Sequence, residues 1–149
     1  MLDEQDVFVT DAADLAGYAS WGSNDPAYRR PSGFHWRPGA LACTFVSSSA
    51  RTFREPPPDW TPGPAASIGH RFEGSTQSLI ADLIRSGVTG AAGNAYEPYL
   101  TGNVRPEVLF GAALEGRMLA ECFFLALPGI SWQPVILGDP LCVLAGAPP

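Results

Sequence analysis

Apolar residues occur along this chain in short blocks, and the spacing inside each block indicates the element it forms. Leu15 to Ser20, "LAGYAS", predicts a short strand. Ala40 to Val46, "ALACTFV", predicts a second that is apolar at nearly every position, as expected where both faces of a sheet are covered. From Ser75 to Gly87, "STQSLIADLIRSG", the period becomes helical: Leu79, Ile80, Leu83 and Ile84 share one face, with Ser75 as N-cap candidate and Gly87 as the stop. Residues 88–94, "VTGAAGN", read as a strand of small residues whose glycines permit close approach by a neighbouring element. Pro106 suits the first turn of a helix carrying Val108, Leu109, Ala112 and Ala113. After an interruption at Gly116, Met118, Leu119, Cys122, Phe123, Ala126 and Leu127 continue at helical spacing until Pro128 and Gly129. "WQPVILGDPLCVL" then predicts a strand ending at Gly138, a turn at "GDP" and a short extended tail.

Two polar tracts separate these blocks. Residues 21–39, rich in proline, glycine and serine, predict a long irregular connection, and residues 54–70, with five prolines, an extended surface segment. Strand, helix, strand, two helices and strand together predict an α/β fold: a mostly parallel sheet of about four strands with packed helices, since parallel strands need such crossovers. The first strand comes almost at once, and about four strands are half of a usual open sheet. Residues 1–149 are therefore expected to form a single α/β domain that is the C-terminal portion of a larger one, or a shortened version of it.

Composition narrows the partners. The chain has 149 residues, 46% hydrophobic and 16% charged, which fits one folded domain. Its net charge is −6, with nine arginines, no lysine and no basic cluster, so no nucleic-acid partner is expected. No run approaches the roughly 18 apolar residues of a membrane span, and the acidic "MLDEQD" at the start is unlike a signal-peptide n-region. Cys43, Cys122 and Cys142 form neither a CxxC pair nor an even disulfide set, so no metal site is expected. Without lysine there is no Walker motif, and G-x-G-x-x-G is also missing; no cofactor is expected.

Open α/β sheets take ligands beyond the carboxyl ends of their strands. Polar bursts stand at four strand ends here: residues 20–25, 47–51, 93–99 and 138–140. If all strands run parallel, these gather on one edge, making Trp21, Ser23, Asn24, Asp25, Ser47, Asn94, Glu97 and Asp139 candidate ligand-binding residues. The serines of 47–49 either line a pocket or satisfy backbone groups where the strand ends. A hydrolase would use Ser48 or Ser49 as nucleophile, with His70 or His35 brought in from a loop as base, although the elbow pattern G-x-S-x-G does not occur. Glu97 and Asp139 are either an acid–base or metal-binding pair or turn formers. Cys43 and Cys122, inside apolar runs, are expected in the core.

The segments "GYASWGSND", "RPGALACTFVSSSARTF", "GVTGAAGNAYEPYL" and "ISWQPVILGDPLC" together resemble the C-terminal portion of a bacterial family of longer chains with no assigned activity. More distantly, the order of elements is similar to the C-terminal half of caspase-like cysteine peptidases of the gingipain branch. That resemblance implies a partial three-layer caspase-like module and an exported setting. It also implies a His-Gly pair at one strand end and a cysteine at the next, so that a thiolate forms beside its base. The matching positions here hold Trp21-Gly22 and the serines of "VSSSA". The expected function is accordingly a pseudo-peptidase that lacks the His-Cys dyad and binds a peptide, carbohydrate or protein ligand. The alternatives are a serine-dependent hydrolase and a structural part of a larger exported protein. A missing N-terminal half or a second chain is the expected neighbour of the first strand if that strand is an edge.

Overall fold

The computed structural model describes residues 8–30, 32–64, 66, 71–130 and 133–147. Among them a four-stranded sheet follows chain order: β1 (Leu15–Ser20), β2 (Trp36–Thr44), β3 (Gly90–Asn94) and β4 (Pro134–Gly138). The helices are α1 (Ile80–Arg85), α2 (Tyr99–Gly102), α3 (Pro106–Leu114) and α4 (Leu119–Ala126), and a 3-10 turn occupies Gly22–Asn24. The protein is thus α/β with a mostly parallel sheet, as the alternation of patterns indicates.

Alternation along the strands builds two cores. Leu41, Cys43 and Ala92 point to one face, where Leu109, Ala112, Leu119, Cys122 and Phe123 of α3 and α4 cover them. Ala40, Ala42 and Ala91 point to the other, beneath Ile80 and Val88. The sheet can be approached this closely because β3 is "GAAGN". A Cβ at Gly90 would lie 2.3 Å from Leu119 Cδ1, and one at Gly93 would lie 2.6 Å from Ile80 Cγ2. Cys43 and Cys122 are core residues, 3% and 0% exposed. Burial pushes the Cys43 thiol up to about 12.

Strand direction departs from expectation in one place. β1, β2 and β3 are parallel, but β4 runs antiparallel to β3, pairing Asn94 with Pro134 and Gly90 with Gly138. The burst at 138–140 therefore lies at the opposite edge from the other three. Asp139 does not join them: its Oδ1 accepts the Leu141 N–H at 3.0 Å, and its carbonyl accepts the Cys142 N–H, closing the turn.

The start of α1 also differs. Ser75 does not cap a helix; residues 75–78 stay non-helical and α1 begins at Ile80. All four are buried, and the side chains of Ser75, Gln77 and Ser78 are hydrogen-bonded to other segments, which is how short polar residues compete with helix formation. β2 starts four residues earlier than its apolar run, at Trp36 instead of Ala40. Its register with β1 shifts between Leu15↔Trp36 and Gly17↔Leu41, leaving Pro38 out of the paired positions, as a proline in a strand requires.

Candidate functional site

Three parallel strands put three loop starts on one edge. There the 3-10 turn after β1, the segment after β2 and the loop into α2 enclose a cleft of about 390 Å³. Trp21, Asn24, Ser47 and Glu97 line it, as do Phe45, Tyr99, Leu100 and Asn103. Its apolar wall is the Trp21–Phe45 stack; Trp21 is 52% exposed. Tyr99 and Leu100 of α2 extend that surface, and both are largely exposed. Its charged group is Glu97. One carboxylate oxygen accepts the Tyr99 N–H at 3.0 Å, which holds the acid at the entrance of α2.

Polar side chains behind the cleft fix its walls. Asn24 donates from Nδ2 to the Phe45 carbonyl at 2.9 Å and accepts from Gln77 Nε2 at 2.8 Å, tying the turn after β1 to the end of β2. Ser23 and Ser78 form a reciprocal clasp: the Ser23 N–H donates to Ser78 Oγ at 3.1 Å and the Ser78 N–H to Ser23 Oγ at 2.8 Å. Ser23 is 3% exposed and its hydroxyl donates to the Gly63 carbonyl, so it supports the site without lining it. Asn94 is likewise buried. Its Nδ2 donates to the Val46 carbonyl and to Asn103 Oδ1, bridging the ends of β2 and β3. Asp25 accepts the Ala27 N–H at 2.8 Å and shapes the turn from outside the cleft lining.

The serines sort by burial. Ser47 lines the cleft. Ser49, 0% exposed, accepts the Asn94 N–H and donates to the Val46 carbonyl. Ser48 donates to Gln77 Oε1 at 2.9 Å and shares a hydrogen bond with Ser75 Oγ at 2.8 Å. These partners are an amide and a hydroxyl, neither of which takes up a proton to activate a nucleophile. His35 precedes β2 and stands at the opposite end of that strand, roughly 25 Å away at the usual rise per residue. His70 lies outside the described residues.

Among the described residues no group of three or more His, Cys, Asp or Glu side chains is placed to hold a metal ion, and no helix is long and apolar enough to cross a membrane. Sequence reasoning missed Phe45, Tyr99, Leu100 and Asn103. Phe45 was hidden at the end of an apolar strand, and Tyr99 and Leu100 at the start of α2, a four-residue helix too short for periodicity to reveal. It also missed the buried polar segment "STQS", whose signal was four consecutive uncharged polar residues directly before an apolar run. No protein-family model, curated protein or solved structure matches the chain.

Proposed function

We propose that the chain is a binding module without peptidase chemistry, and that the cleft lined by Trp21, Phe45 and Glu97 takes an extended peptide. The observation that carries this reading is the pairing of an exposed aromatic wall with a lone carboxylate in one cleft. An indole face and a carboxylate together favour a basic side chain, by cation–π contact and ion pairing, while Tyr99 and Leu100 suit an apolar neighbour on the same peptide. The sequence resemblance to caspase-like peptidases points the same way, because the positions at which it would place the dyad hold Trp21-Gly22 and the serines of 47–49.

The test is an NMR titration of the labelled full chain with pools of short peptides sorted by charge. Basic pools shift the amides of Trp21, Phe45, Glu97 and Asn103, and Glu97→Gln weakens that response more than it weakens the response to neutral pools. Shifts that avoid these residues, or an acidic pool binding as well as a basic one, remove the proposal.

A further inference from the structure

Separate from the strand-end cleft, a second cavity of about 510 Å³ opens on the α1 face, between α1 and the connection from β1 to β2. Its floor is aromatic and aliphatic. Phe34 is 4% exposed, the Tyr18 ring lies 4.9 Å from it, and Leu83 of α1 lines the same cavity. Its wall is a charged triad. Asp82 accepts from Arg30 Nε at 2.9 Å and from Arg85 Nη1 at 2.8 Å, and all three side chains are at least two-thirds shielded. Arg30 is held from behind by the Trp60 ring, 5.6 Å from its guanidinium carbon.

Among the described residues that line the cavity, two guanidiniums stand against one carboxylate, one cation in excess, with Asp11 beside Gly33 just outside the lining. The triad alone is an ordinary ion-pair network. Its position, walling a roomy aromatic cavity, is what suggests a ligand, since small-molecule sites combine an apolar lining with a few convergent polar groups. Arg85 is the more accessible cation. It gives N–H groups to Asp82 and to the Phe53 carbonyl, and its fork has donors beyond these for an incoming acceptor.

We propose that this cavity binds a small organic monocarboxylate with a flat apolar body, its ring on Phe34, Tyr18 and Leu83 and its carboxylate on Arg85. One surplus charge matches one carboxylate; a phosphate monoester would carry about two charges and leave the half-buried site with net negative charge. A neutral analogue forfeits the charge-assisted hydrogen bonds.

Calorimetric titration of the full chain with phenylacetate, phenylacetamide and phenyl phosphate tests this. Phenylacetate saturates one site, the amide binds at least about tenfold more weakly, and phenyl phosphate also binds more weakly than phenylacetate. Arg85→Met, with folding checked by its melting curve, weakens phenylacetate about tenfold. Arg54→Gln, which removes a surface cation paired with Glu73, leaves the affinity unchanged. Ser32→Trp at the rim blocks entry while leaving the triad intact. The proposal is overturned if phenylacetate shows no saturable binding up to about 10 mM, if the amide or the phosphate binds as well as the acid, or if binding survives both Arg85→Met and Ser32→Trp.

Discussion

The indole of Trp21 rests on the ring of Phe45, with centroids 5.0 Å apart and planes tilted by 39°. The indole is nevertheless 52% exposed and lines the cleft. Trp21→Ala is expected to cost only about 1 kcal/mol of stability, the usual worth of an exposed aromatic pair. Urea unfolding checks it. A loss above about 3 kcal/mol would mean that Trp21 is a packing residue and not a ligand platform.

Gly93 and Gly111 are expected to respond to alanine with opposite signs. A Cβ at Gly93 would lie 2.4 Å from Ser49 Oγ and 2.6 Å from Ile80 Cγ2, so Gly93→Ala overpacks the α1 face and costs about 1–3 kcal/mol. Gly111 lies within α3 with nothing within 4 Å of the new atom, and Gly111→Ala gains about 0.5–1 kcal/mol from helix propensity. Midpoints of urea unfolding moving the same way for both would contradict this account.

Thr44 ends β2 with its hydroxyl buried and, among the described residues, without a hydrogen-bond partner. Thr44→Val keeps the shape and removes the unsatisfied group. It is expected to stabilise the protein by about 1 kcal/mol, measured as a raised unfolding midpoint. A destabilised variant would mean that the hydroxyl has an acceptor in solution.

Alkaline pH is expected to weaken the fold through buried acids, Cys43 and Tyr18 among them, with Tyr28 and Cys122 raised by burial in the same direction. Burial raises the Cys43 thiol from 9.0 to about 12 and the Tyr18 phenol from 10.0 to about 12. Above pH 9 the unfolded chain releases protons that the native state retains, so stability is full below that value and falls as pH rises towards 12. Each group contributes at most about 1.4 kcal/mol per pH unit. Stability measured from pH 8 to 10.5 declines in the parent chain and declines less in Cys43→Ala. Identical slopes would show the thiol to be ionisable in place.

The parallel part of the sheet was legible because its strands are short apolar blocks separated by helical spacing, and Trp21, Asn24, Ser47 and Glu97 follow from it, each standing where such a strand runs out. The direction of β4 was not legible. "PVILG" has the same pattern whichever way it runs, and what decides is the crossing of α3 and α4 over the sheet, a matter of packing. The segment 75–78 failed for a different reason. Its serines are equally suited to capping a helix and to holding a neighbouring loop, and only Ser23 and Ser48, 55 and 27 residues away in sequence, select the second.

The bridge made by Asn94 bears on where this sheet can recognise anything. The connection leaving β2 turns to the α1 face and the connection leaving β3 to the opposite face, so the gap between their ends is the topological switch point at which an open α/β sheet ordinarily receives its ligand. Here that socket is stoppered from within by a carboxamide reaching Val46 and Asn103. The cleft at this edge draws its lining from the segments after β2 and β3 and, one strand further, from Trp21 and Asn24. Shortening the stopper, as in Asn94→Ala, would uncork an internal berth with two hydrogen-bond acceptors left waiting at its sides.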